Sequence, residues 1–162
     1  MDQLRYAALR RRLGFDVGAD ELIQAALDAV LAGVDGLTLA QLAGLGRREE
    51  PDAYDLFDQV VDELGLRADL PADVVEARWS LVRWWCRMVV DGDVAPEVGG
   101  SWVWRDAWEA LGHPEELQPL VGAVDDWEEW SPAWGVTREA VRDEIVAAAR
   151  EIAALPWPLP RP

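Results

Sequence analysis

Residues 71–90, PADVVEARWSLVRWWCRMVV, decide the fold. Pro71 can open a helix, because proline is tolerated in the first helical turn. Val75, Val82 and Val89 then share one side of that helix, and further apolar residues leave it little polar surface. A helix that is apolar on most sides is usually central to its bundle. The stretch therefore predicts an all-α protein built around one long helix.

The same helical spacing continues through nearly all of the chain. In residues 20–32, apolar side chains repeat at i, i+4, with Asp20 placed to cap the start of a helix and Gly33 to end it. Strand patterns are almost absent. We predict an all-α, compact bundle of about seven helices with no significant sheet.

The length of the chain, 162 residues, favours one helical domain over residues 1–162. A hinge is predicted at residues 67–71, which makes 1–66 a candidate N-terminal helical lobe and 71–155 a candidate Trp-rich helical lobe. A Pro-rich tail covers residues 156–162, where Trp157 is expected to fold back against the protein.

The distribution of tryptophan and charge is unusual. All ten Trp lie from Trp79 to Trp157, and the formal net charge is -16. A negative field of this size repels nucleic acid and anionic membranes and attracts basic proteins or metal cations. The alternative is that the acidity only confers solubility.

Catalytic chemistry lacks the usual groups. The chain has no Lys, and it has one His and one Cys. Cys86 lies in an apolar helical run, where a thiol is unreactive, and His113 lies in a Gly-His-Pro turn. Zinc would need more His or Cys ligands. We therefore predict no enzyme activity, no catalytic residue, no metal site and no cofactor, although carboxylate-only acid–base chemistry stays an alternative.

Acidic and indole side chains alternate near residue 127. Carboxylates interleaved with indoles suit Arg or Lys from a partner protein, through ion pairs and cation–π contacts. Trp84, flanked by Arg83 and Arg87, is the Trp of the long helix expected to be most accessible. A solvated acidic surface is the alternative. The predicted partner-binding residues are Trp84, Asp125, Asp126, Trp127, Glu128, Glu129, Trp130 and Trp134.

Two segments of the second half resemble a known family. They are MVVDGDVAPEVGGSWVW, residues 88–104, and LQPLVGAVDDWEEW, residues 117–130. They are similar to the VDGxIxPxxG…IW and LxxFVGLxxEWxD-like segments of small, all-helical, Trp-rich bacterial proteins of unsettled function. Val94 and Leu120 stand where that family usually has Ile and Phe. The resemblance covers roughly residues 80–152; it implies a helical fold and carries over no catalytic residue.

These observations predict an acidic helical module that sequesters or inhibits a basic protein partner, as an immunity protein neutralises a toxin. The alternative is a helical domain that binds a small ligand in a Trp-lined pocket. We expect a cytoplasmic protein, because Cys86 is the lone cysteine of the chain. We expect no membrane binding, because the chain has no long apolar run, and no nucleic-acid binding, because its charge is negative. The sequence leaves the oligomeric state open.

Overall fold

The computed structural model describes residues 1–46 and 50–156. Within them every regular element is helical, which confirms the all-α prediction. The described α-helices are α1 Asp2–Arg12, α2 Ala19–Leu31, α3 Leu37–Ala43, α4 Glu50–Glu63, α5 Leu66–Asp69, α6 Val74–Asp91, α7 Pro96–Val103, α8 Gln118–Glu128 and α9 Arg138–Ala154. A π-helical turn, Trp104–Trp108, follows α7, and short 3₁₀ turns cover Glu115–Leu117 and Pro132–Trp134.

The described residues thus form nine α-helices, so the prediction of about seven was too low. The element that the sequence pattern missed is α5, a single turn after Gly65, which has a φ of 67°. Four residues are too few for a hydrophobic repeat to show. Helix α5 covers residues 67–69 of the segment predicted as a hinge, and Leu70 after it is extended.

The start of α6 differs from its prediction, and α7 ends in an irregular turn. The long helix α6 begins at Val74 and not at Pro71, because Asp73 caps it: the backbone N–H of Glu76 donates to Asp73 Oδ1 at 2.9 Å. Helix α7 is α-helical only to Val103, where the wider π turn begins. A guanidinium N–H of Arg78 donates to the Asp106 carbonyl in that turn. Nothing in the apolar spacing indicates such a turn.

The chain divides into two compact units, Met1–Ala77 and Arg78–Pro162, with the boundary inside α6. In the first unit, α2 packs against α1, α3 and α4. The core of this unit is aliphatic apart from one ring. Its most deeply buried large side chains are Leu4, Leu22, Leu39, Leu42, Phe57, Val60 and Leu66.

In the second unit, α7 packs against α8 and α9 through a small residue. A Cβ built on Gly100 would lie 2.5 Å from Val124 Cγ2 and 3.3 Å from Ile145 Cγ2, so only glycine permits this approach. The ring of Trp85 on α6 lies 6.1 Å from that of Trp102, centroid to centroid. Trp side chains therefore pack between helical segments in this unit.

None of the described helices is both long enough and apolar enough to cross a membrane. The expected folding back of Trp157 concerns a residue outside the described part of the chain.

Candidate functional site

Four carboxylates cluster at the C-terminal end of α8. We call Asp125, Asp126, Glu128 and Glu129 the α8 acidic cluster; all four are exposed. The helix ends here, with the Glu129 backbone N–H donating to the Asp125 carbonyl at 2.9 Å. No cation of the described residues forms an ion pair with any of the four. The cluster is therefore available to a cation from outside the described chain.

The position of this cluster is electrostatically unfavourable within the helix. The C-terminal end of a helix carries partial negative charge, so each carboxylate there costs about 0.3–1 kcal/mol when exposed. Asp125 and Glu129 are also four residues apart, a spacing at which like charges repel. Local stability does not account for such an arrangement, and features of this kind are expected where a surface serves binding.

The loop after α8 holds two of the predicted indoles in place. Ser131 caps the 3₁₀ turn, its Oγ accepting from the Ala133 N–H at 3.4 Å, and Gly135, with φ 73°, ends it. Trp130 Nε1 donates to the Val136 carbonyl at 3.0 Å, which ties its partly buried ring to the loop. Trp134 instead keeps 46% of its surface exposed. The loop therefore presents one open indole beside the acidic cluster in sequence.

Trp127, which precedes Glu128, already has cationic neighbours on α9. The guanidinium carbons of Arg138 and Arg142 lie 4.0 Å and 5.1 Å from the centroid of its ring. Arg138 also lies 5.8 Å from the Trp130 ring. These distances are in the cation–π range, so the partly buried Trp127 is engaged by cations of its own chain.

Arg142 links this indole to α7. Its Nε and one terminal nitrogen donate to the two carboxylate oxygens of Glu97 at 3.2 Å and 2.9 Å. Glu97 belongs to the first turn of α7, where the helix dipole favours a carboxylate. Through Arg142 the three helices α7, α8 and α9 are joined by one bidentate ion pair and one cation–π contact.

The predicted site residues lie near one another mainly because they are close in sequence. Seven of the eight predicted residues fall in the continuous segment 125–134, whereas Trp84 lies on α6 and is partly buried. The sequence interpretation missed Glu97, Arg138 and Arg142. The signal that was available is the spacing of the two Arg, which are four apart on a helix that begins after Thr137 and so share one face.

The two residues considered for nucleophilic chemistry lie in different settings. Cys86 is buried, and burial raises the pKa of its thiol to about 12. His113 is exposed in a left-handed turn, with φ 60°, and its ring lies 5.1 Å from that of Trp108 at an interplanar angle of 65°. At neutral pH the thiol is therefore protonated. The backbone N–H of His113 donates to the Trp108 carbonyl at 3.0 Å and so closes the end of the helical segment. Within the described residues no group of His, Cys, Asp and Glu side chains is arranged to hold a metal ion.

Comparison with known proteins adds no relative. No protein-family model matches the chain, and the searches of curated proteins and of solved structures gave no match.

Proposed function

We propose that this protein is an acidic helical module that binds a basic protein and thereby sequesters or inhibits it. The observation that carries the proposal is the α8 acidic cluster. Its four exposed carboxylates lie at the C-terminal end of a helix, where the helix dipole disfavours negative charge, and have no ion-pair partner in the described chain. A partner supplying Lys or Arg would offset their mutual repulsion.

The indoles of the same segment support this assignment. Trp134 offers an exposed ring that a partner can cover, and Trp is enriched among residues that contribute most to binding. Trp127 and Trp130 are partly buried, and Arg138 and the Val136 carbonyl already contact them. Burial of Trp134 would lengthen the lifetime of a complex whose formation the charges accelerate.

The net charge of -16 also favours a cationic partner. A field of this sign steers a cationic protein toward the surface and raises the association rate, most strongly at low ionic strength. Neutralisation of a basic bacterial toxin in the cytoplasm is the specific form of this function that we propose. Membership in the family of small Trp-rich helical bacterial proteins is proposed with it.

Affinity capture from the native cell extract tests the proposal. The baits are the wild-type protein, a variant with the cluster neutralised (D125N, D126N, E128Q, E129Q) and a control of equal charge (D35N, D52N, D55N, E151Q) whose substituted residues are exposed. We expect a basic protein on the wild-type and control baits, absent from the first variant and released by high salt. An equal loss of capture by both variants would show that net charge, and not the cluster, retains the partner. Undiminished capture by the cluster variant, or capture of nothing basic, would refute the proposal.

A further inference from the structure

A groove in the first unit is lined by three guanidinium groups and by apolar side chains. It lies between α1, α4 and α5 and has a volume of about 210 Å³. Arg11, Arg12 and Arg67 line it together with one carboxylate, that of Asp58. The chain has a net charge of -16, whereas this groove is lined by three positive charges and one negative charge, so the sign of the charge is locally reversed. We propose that this groove binds a small organic anion that carries an apolar ring.

The state of Arg12 is the main argument for an anion. Among the described residues, the guanidinium of Arg12 makes a single hydrogen bond, from one terminal nitrogen to the neutral carbonyl of Ala72 at 2.7 Å. Within the described residues Arg12 forms an ion pair with no carboxylate, although the chain has 31 Asp and Glu. Because a guanidinium has five N–H donors, most of its donors and its full charge remain for a ligand.

The other two guanidiniums are held in place by their own carboxylates. Arg11 donates to both oxygens of Asp58, at 3.2 Å and 3.3 Å, and its guanidinium carbon lies 5.7 Å from the Phe57 ring centroid. Arg67 Nε donates to Asp62 at 2.6 Å. Arg11, which is partly buried, is thus held at the groove before a ligand arrives, which lowers the entropy lost on binding. The exposed pair of Arg67 with Asp62 holds its guanidinium more weakly.

The floor of the groove selects for an apolar body on the anion. Phe57 and Val61 line the groove but are already covered by the protein, so the partly buried Leu70 offers the apolar surface to a ligand. The volume is below the range of about 300–1,000 Å³ typical of sites for drug-sized ligands, so one ring with one carboxylate is the appropriate class. A bare phosphate would leave the apolar floor uncovered, and a neutral ring would leave Arg12 unpaired.

Fluorine NMR with para-fluorobenzoate tests this inference on the full chain. A dissociation constant is measured from line broadening for the wild type, for R12Q and R67Q, and for R150Q, which removes an exposed charge of α9 outside the groove. We expect each groove variant to weaken binding about tenfold, since a charge-assisted hydrogen bond is lost. R150Q should match the wild type. Circular dichroism confirms that each variant is folded, and R67Q keeps the test valid if R12Q is not.

Two competitors separate the anion from the ring. Neither para-fluorobenzyl alcohol, which is neutral, nor inorganic phosphate, which has no ring, should bind as well as the carboxylate. Absence of binding by the wild type, equal binding by R12Q, R67Q and R150Q, or equal binding of the alcohol or of phosphate would overturn the proposal.

Discussion

Arg138 lies with its guanidinium carbon 4.0 Å from the centroid of the Trp127 ring, so a cation of α9 covers an indole of α8. This contact is made beside a cluster of carboxylates whose oxygens attract the same kind of group. The surface therefore shows, within one chain, the recognition of a guanidinium that we propose for a partner protein. It also shows which indole remains open, namely Trp134.

The strength of the Arg138–Trp127 contact can be measured by a double-mutant cycle. We expect a coupling free energy of about 0.5–1 kcal/mol between R138Q and W127L, because Arg138 is exposed and a cation–π contact in such a setting has this size. Urea unfolding of the two single variants and the double variant gives the value. A control cycle that combines R150Q with W127L should give no coupling. A coupling between R138Q and W127L no larger than that of the control cycle would contradict the geometry.

A second prediction concerns the close packing of α7 against α8 and α9 at Gly100. G100A should destabilise the protein by about 1–3 kcal/mol, since the new methyl group would overlap Val124 Cγ2. G122A is the matched control: its added Cβ would meet no atom within 4 Å apart from its chain neighbours and the backbone of its own helix, and it lies in the middle of α8. There the higher helix propensity of Ala should stabilise by about 0.5–1 kcal/mol. Opposite signs in urea unfolding are expected, and a shared sign would count against the close packing at Gly100.

How much of this could be predicted from the sequence depends on how local each feature is. Helices α2 and α9 follow from apolar repeats and caps close in sequence, such as Thr137, whose Oγ1 accepts from the Ala140 N–H at 3.1 Å. One cap was predicted wrongly: Asp20 lies in the first turn of α2, and the N-cap residue of this helix is Gly18. The one-turn helix α5 and the π turn after Val103 leave no trace in the apolar repeat.

The candidate site divides in the same way. The exposed carboxylates and Trp134 follow from residue types along one segment, and the sequence indicates them. The engagement of Trp127 by Arg138 and Arg142 depends on how α8 packs on α9, and the pairing of Arg142 with Glu97 depends on α7. Such contacts are fixed by tertiary packing, which a residue pattern does not specify.

A third prediction concerns pH and Cys86. Burial raises the pKa of this thiol from 9.0 to about 12. Above pH 9.0 the unfolded thiol loses its proton while the folded one keeps it, so the folded state binds more protons and the free energy of unfolding falls as pH rises. This contribution is complete below pH 9.0 and is lost towards about pH 12.

C86A removes this titration and provides the comparison. Between about pH 9 and pH 11, the wild type should lose about 1.4 kcal/mol per pH unit relative to C86A in urea unfolding. The wild-type thiol should also react with a thiol reagent only after unfolding. Parallel pH curves for the two proteins would contradict the burial of this side chain.

The affinity of the purified basic partner for defined surface variants tests the central claim most directly. Isothermal titration at several salt concentrations compares the wild type with the neutralised α8 acidic cluster, with its control of equal charge, and with W134A. We predict a loss of about a hundredfold or more and a flatter salt dependence for the neutralised cluster, at least a tenfold loss for W134A, and little change for the control. If the control variant lost as much affinity as the cluster variant, or W134A lost none, the α8 segment would not be the binding surface.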